Sequence, residues 1–171
     1  MIPMLLKVLK TGIASEPSPQ AREEWRARAA AINDEILCLL GRALVIRQVD
    51  AGSCNGCELE IHALNNPYYN IEGLGIRFAA SPRHADLLLV TGPVAKNMEM
   101  ALRIAYDAMP HPKLVVSVGD CGADGGVWGK TYATCGGVSE IIPVDVAVPG
   151  CPPPPTAILQ GILTAIARRS P

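Results

Sequence analysis

The sequence is poor in aromatic and charged residues. Aromatic side chains make up 4% of the 171 residues and charged side chains 18%, against 49% hydrophobic residues. Lysine and arginine number 15 and the acidic residues 16, so the net charge is −1, and a basic surface of the kind that binds nucleic acid is not expected. A chain this apolar cannot cover its surface with charge, so we expect part of that surface to be buried against partner subunits.

The sequence also lacks the features of a membrane-spanning or exported chain. Its longest stretch with little charge, residues 141–167, carries one acidic residue but six prolines, which a membrane-spanning helix does not tolerate. No secretory or twin-arginine signal is visible at the amino terminus. We therefore expect a chain in the cytoplasm, in which a framework of disulfides is disfavoured.

Two common classes of catalytic motif are missing as well. There is no glycine-rich phosphate loop with a lysine, and Ser53 has no histidine–aspartate pattern to complete a hydrolase triad. What the sequence does contain is six cysteines. The chemistry must therefore be sought among the thiols.

Four cysteines follow apolar, strand-like runs and glycine-bearing turns. Cys54 and Cys57 are separated by two residues after the first run, and Cys121 and Cys151 each follow a later run. Parallel α/β sheets gather their sites at the ends of strands, so thiols far apart in sequence can meet there. Four thiolates beside glycines suit a [4Fe–4S] cluster, with the glycines leaving room for the cofactor.

Other interpretations of the cysteines stay open at this point. A structural zinc would use four thiols but usually has two close pairs, and a redox dithiol would involve only Cys54 and Cys57. Cys135 could replace Cys121 as a ligand. Cys38 is predicted to be a small buried hydrophobic residue.

Charged residues near these motifs are candidates for tuning the cofactor. Glu58 and Glu60 could relay protons, although a carboxylate there more often caps a helix or pairs with an arginine. Arg83 could place positive charge near a cluster and raise its potential. Glu60 and Arg83 are therefore candidate tuning residues.

The hydrophobic pattern predicts an α/β fold, with a parallel sheet flanked by helices. Residues 1–42 are predicted to be an N-terminal extension with an amphipathic helix over residues 20–40, and residues 43–171 to be the cluster-binding domain. The apolar, basic residues 1–10 could lie on a membrane surface or in a partner's groove, or could equally be a poorly ordered terminus. Within the domain we predict strands at 43–49, 75–79, 87–92, 113–118 and 145–148, and helices at 58–64, 97–109 and 156–169.

Four stretches carry a resemblance to a known family: Cys54–Ile61, Ser81–Leu88, Pro143–Val146 and Pro149–Pro153. Together they resemble the small subunit of energy-converting, membrane-bound nickel–iron hydrogenases, of which formate hydrogenlyase is the nearest type. The same family includes the complex I subunit that holds the terminal cluster. That subunit typically has two adjacent cysteines at the first site, whereas Cys54 and Cys57 are spaced as in the hydrogenase branch.

The resemblance implies a flavodoxin-like fold and a single [4Fe–4S] cluster held by Cys54, Cys57, Cys121 and Cys151. It also implies three kinds of partner, namely a [NiFe]-type large subunit, a ferredoxin-like iron–sulfur subunit and membrane-arm subunits. The expected place is the cytoplasmic face of the cell membrane. The alternatives are a complex I-type quinone oxidoreductase subunit, a subunit of a nickel-free hydrogenase-related complex, or a zinc-stabilised interaction module.

Overall fold

The computed structural model describes residues 10, 27, 30, 31, 34, 36–38 and 41–168. In the continuous part, strands alternate with helices. The elements are β1 (Leu44–Asp50), α1 (Gly56–Ala63), β2 (Ile76–Phe78), β3 (Leu87–Thr91), α2 (Lys96–Asp107), β4 (Leu114–Val118), α3 (Gly119–Asp124), β5 (Val146–Val148) and α4 (Pro155–Ala167). Short 3₁₀ helices lie at Ile71–Leu74, Pro82–His84 and Val138–Glu140.

The five strands form one parallel sheet in the order β2-β1-β3-β4-β5. This is the flavodoxin-like strand order. The chain adds β2 on one side of β1 and then adds β3, β4 and β5 on the other side, so the order of strand addition reverses between β1 and β3. The predicted α/β fold is therefore confirmed. The reversal leaves a crevice beyond the carboxyl ends of these strands, where such folds place their sites.

Helices cover both faces of the sheet. On one face, α1 and α4 pack against alternate strand residues, with Ile61, Leu89 and Ile158 almost completely buried. On the other face, Leu102 of α2 packs against Leu88 and Val90. All five residues of β3 are buried, as predicted from its unbroken apolar run.

Two aspartates connect neighbouring strands at the edge where the strands begin. Asp86 accepts a hydrogen bond from the backbone N–H of Val45 at 3.0 Å, and the guanidinium of Arg42 donates to it at 3.1 Å. Asp145 accepts from the backbone N–H of Val115 at 2.7 Å. Two of the stretches that carry the family resemblance therefore shape this edge of the sheet, opposite the cysteines.

The N-terminal extension falls mostly outside the described residues, including residues 1–9 and most of the predicted amphipathic helix. Ile36 is described as helical and is completely buried in the core with α1 and α4. Cys38 is exposed, so its predicted burial is wrong. Two residues along a helix turn a side chain through about 200°, which points Cys38 away from the core that Ile36 enters. The division at residue 42 stays a prediction.

The region after β4 also differs from the prediction. β4 ends at Val118, as predicted, but Cys121 lies in the six-residue helix α3, where a loop rich in glycine was expected. Glycine is a poor helix former, which hides this short helix in the sequence. Among the described residues, no helix is long and apolar enough to span a membrane.

Candidate metal centre

Backbone hydrogen bonds shape the loop that carries Cys54 and Cys57. Asp50, at the end of β1, accepts from the backbone N–H groups of Gly52 and Ser53, both at 3.1 Å. The Ser53 hydroxyl then accepts from the backbone N–H of Asn55 at 3.0 Å. The loop leaves Cys54 exposed and places Cys57, which is half-buried, in the first turn of α1.

This loop lies over the end of β3. Gly92, the residue after β3, has a φ of +78°, and a Cβ at this position would lie 2.7 Å from the backbone nitrogen of Ser53. Only glycine allows both the backbone conformation and the close approach. The loop that follows β1 therefore crosses the crevice towards β4.

The loops after β4 and β5 meet each other directly. The Asp120 carboxylate accepts from the backbone N–H of Gly150 at 2.7 Å, and the Asp120 N–H donates to the Gly150 carbonyl at 2.9 Å. These bonds connect the residues immediately before Cys121 and Cys151. Cys121 is half-buried and Cys151 is exposed.

Glycines lie against three of the four sulfurs. A Cβ on Gly119 would lie 2.6 Å from the Cys57 sulfur, and one on Gly126 would lie 2.9 Å from the Cys121 sulfur. A Cβ on Gly56 would lie 3.6 Å from the Cys54 sulfur and 3.8 Å from Pro152. The three loops therefore bring the thiols together, and space beside the sulfurs is kept free of side chains.

The four thiols also act on one another electrostatically. Burial, followed by the charge of Glu58 and of the three other thiols, raises the pKa of Cys57 to about 12. Burial likewise raises the pKa of Cys121, followed by Cys151, Cys54 and the neighbouring aspartates Asp120 and Asp124. At neutral pH the Cys57 and Cys121 thiols are therefore protonated unless a cation compensates their charge. A bound iron–sulfur cluster would supply that charge, and loading the site would then release protons.

The donor set fits a cluster better than it resembles a preformed site for one ion. Within the described part of the chain, no three His, Cys, Asp or Glu side chains are arranged to hold a single metal ion. A tetrahedral zinc with bonds of about 2.3 Å keeps its sulfurs roughly 3.8 Å apart, whereas a four-iron cluster carries each thiolate on a different iron. The absence of such a group among the described residues argues against a preformed site for a single ion. The fit to a cluster depends on the four thiols and the glycine-lined space beside them.

Cys135 lies elsewhere. It is buried on the face of the sheet covered by α2, and its thiol donates to the Glu99 carboxylate at 3.6 Å. Burial and the Glu99 carboxylate raise its pKa. The structure does not bring Cys135 together with the other four thiols.

Of the two proposed tuning residues, Arg83 lies before the start of β3, whereas Glu60 lies on the same helix as Cys57. Glu60 is half-buried on α1, and Arg83 is exposed on the 3₁₀ helix that precedes β3. The thiols instead follow the ends of β1, β4 and β5. A tuning role for Glu60 or Arg83 therefore stays a prediction.

Two acidic residues gain importance from the structure. Glu58 is 4% exposed, and within the described residues neither of its carboxylate oxygens has a hydrogen-bond partner. It neither caps a helix nor pairs with an arginine there. Asp120 was not among the predicted site residues, although its position directly before Cys121 is visible in the sequence.

Comparison with known proteins agrees with the fold and with the family resemblance. The family model for the NADH ubiquinone oxidoreductase 20 kDa subunit matches residues 54–165. The probable membrane-bound hydrogenase subunit mbhJ of Pyrococcus furiosus is 44% identical over 133 residues, which cover 77% of this chain and 80% of that protein. Formate hydrogenlyase subunit 7 of Escherichia coli is 42% identical over 137 residues, covering 80% of this chain and 54% of that protein.

A solved structure extends the comparison. A chain of the membrane-bound sulfane sulfur reductase, an archaeal respiratory membrane complex, superposes with a TM-score of 0.65 at 30% identity, covering 82% of this chain and 77% of that chain. The chain therefore belongs to the oxidoreductase family of the NADH ubiquinone oxidoreductase 20 kDa subunit, as a member similar to membrane-bound hydrogenase subunits.

Proposed function

We propose that this chain is the electron-transfer small subunit of a membrane-associated [NiFe] hydrogenase complex. It holds one [4Fe–4S] cluster through Cys54, Cys57, Cys121 and Cys151. The observation that carries the proposal is the convergence of three strand-end loops on four thiols, with glycines beside three of the sulfurs. The 44% identity to a probable membrane-bound hydrogenase subunit supports the same assignment.

A bound [4Fe–4S] cluster takes up and releases single electrons, while the protein binds it and sets its potential. Cys57 and Cys121 are half-buried and lie on the inner side of the site, whereas Cys54 and Cys151 are exposed. The exposed side gives a redox centre in a neighbouring subunit a short path to the cluster. The chain's own residues thus bind the group, limit its contact with water and leave one side open for electron transfer.

The partners we propose are a large subunit with the nickel–iron centre, a ferredoxin-like iron–sulfur subunit and membrane-arm subunits. Relatives named as subunits of membrane-bound hydrogenase and formate hydrogenlyase support this. The described surface also carries large exposed apolar side chains, among them Met100, Ile104 and Trp128. We place the chain peripherally, on the cytoplasmic face of the membrane.

A second candidate is the same electron-transfer role in a complex without nickel. The solved relative in a sulfane sulfur reductase favours it, because a chain of similar fold works there in a complex named for another reaction. A complex I-type quinone reductase is less well supported, because Cys54 and Cys57 are not adjacent.

Metal and sulfide analysis of the chain, co-purified anaerobically with its large subunit, separates these functions. We expect acid-labile sulfide, iron in slight excess over it because the nickel–iron centre adds an iron without sulfide, nickel in the complex, and hydrogen-dependent reduction of a viologen dye. Iron and sulfide without nickel or hydrogen oxidation would favour the second candidate. Stoichiometric zinc without sulfide would instead make the chain an interaction module.

A further inference from the structure

Two hydrogen bonds in opposite directions join Asp120 to Gly150. The side chain of Asp120 accepts from the Gly150 N–H at 2.7 Å, and its backbone N–H donates to the Gly150 carbonyl at 2.9 Å. β4 and β5 pair through Val118 and Val148. The clamp formed by Asp120 and Gly150 thus continues the pairing beyond the ends of both strands, directly before Cys121 and Cys151.

The backbone around the clamp is closely packed. A Cβ on Gly119 would lie 3.3 Å from the Gly150 carbonyl oxygen, and one on Gly150 would lie 2.8 Å from the Cα of Pro153. The two loops therefore approach each other through backbone atoms. In this geometry the Asp120 side chain is the group that satisfies the Gly150 N–H, and a charged acceptor makes a stronger bond than a neutral one.

Asp120 also acts on the site through its charge. Its carboxylate directly precedes Cys121 in the chain and is held against the loop that carries Cys151 by the bond from the Gly150 N–H. Reduction adds an electron to a cluster, so nearby negative charge disfavours it and lowers the reduction potential. Position and charge are separable at this residue, because asparagine keeps the accepting oxygen and removes the charge.

We propose that Asp120 is a positioning residue that fixes the spacing of the Cys121 and Cys151 loops and lowers the reduction potential of the cluster they hold. This inference depends on the proposed function for the cluster. It assigns Asp120 a role that is distinct from ligation.

The test compares Asp120→Asn and Asp120→Ala in the complex, with Asp107→Asn as a control at the far end of α2. Iron content and redox titration followed by electron paramagnetic resonance are the readouts. We expect several-fold lower cluster occupancy in Asp120→Ala, restored occupancy in Asp120→Asn, and an upward shift of the midpoint potential in Asp120→Asn. Asp107→Asn should match the wild type in both readouts.

A second readout does not depend on the cluster. Hydrogen–deuterium exchange at the Gly150 amide, measured on the complex after chelation of iron, should be several-fold faster in Asp120→Ala and only slightly faster in Asp120→Asn. Equal exchange in wild type and Asp120→Ala would overturn the clamp, and an unmoved midpoint in Asp120→Asn would overturn the effect of charge. A wild-type chain that holds zinc without sulfide would contradict the proposed function. The exchange rates would still show whether Asp120 holds the Gly150 N–H.

Discussion

Gly119 illustrates how closely the backbone of one loop approaches the sulfur of another. Its φ is +83°, and a Cβ would lie 2.6 Å from the Cys57 sulfur. We predict that Gly119→Ala costs about 1 to 2 kcal/mol of unfolding free energy through backbone strain, and in addition displaces Cys57 and lowers cluster occupancy. The measurements are chemical denaturation and the iron content of the purified complex.

Gly129→Ala is the matched control for this substitution. Gly129 also has a positive φ, +54°, but nothing lies within 4 Å of a Cβ placed there. It should therefore show the cost of strain while cluster occupancy stays at the wild-type level. Equal iron content in the two variants would mean that the space beside Cys57 does not matter for the cofactor.

The raised pKa of Cys57 has a measurable consequence in the chain without a cofactor. Alkylation requires the thiolate, and burial, followed by the charge of Glu58, raises the pKa of this thiol to about 12. The thiolate fraction, and with it the rate, should therefore still rise as the pH increases from 9 towards 12. Mass spectrometry after iodoacetamide treatment should show the exposed Cys54 modified before Cys57 at pH 8. A rate of Cys57 alkylation that levels off near pH 9 would show that the pKa of this thiol is not raised.

At the scale of elements, the aspartates at the strand starts should affect stability without affecting the cofactor. Asp86 is buried and accepts from the Val45 N–H, so Asp86→Ala leaves a buried donor unsatisfied and should cost about 2 kcal/mol. Asp145 makes the same kind of bond to Val115 but is exposed. Water can replace it, and Asp145→Ala should cost about 1 kcal/mol or less.

Urea denaturation measures both costs, and electron paramagnetic resonance measures the effect on the cofactor. The cluster signal should be unchanged in Asp86→Ala and Asp145→Ala, because both residues lie at the edge opposite the thiols. A cluster signal that is lost in either variant, at full folding, would show that this edge contributes to the site.

Elements with a strong local signal were predictable from the sequence. The apolar run of β3 and the proline-led helix α4 agree with the structure to within one or two residues. Features that depend on tertiary contacts were not predictable from the sequence. The side of the helix on which Cys38 lies, the short helix α3 and the crossing of the Cys54 loop over Gly92 all follow from how the strands are arranged.

At the scale of the whole molecule, the prediction concerns association. Hydrophobic residues make up 49% of the sequence, and several large apolar side chains are exposed on the described surface. They include Leu59, Met100, Ile104, Val127, Trp128 and Tyr132. We predict that the chain alone aggregates and that co-expression with its large subunit gives a soluble, cluster-loaded complex.

Size-exclusion chromatography of the chain, expressed with and without that subunit, measures this association. The exposed apolar side chains should be covered in the complex, so its peak should be single and should carry iron. A monodisperse, cluster-loaded monomer would show that this surface needs no partner.

The central claim is that four thiols from three loops hold one [4Fe–4S] cluster. The most direct measurement is electron paramagnetic resonance of the reduced complex carrying Cys54→Ser, Cys57→Ser, Cys121→Ser, Cys151→Ser or Cys135→Ser. We predict that each of the first four loses or converts the cluster signal. Cys135→Ser should keep it, because that thiol faces Glu99 on the other side of the sheet. A normal signal in Cys121→Ser together with its loss in Cys135→Ser would contradict the assignment.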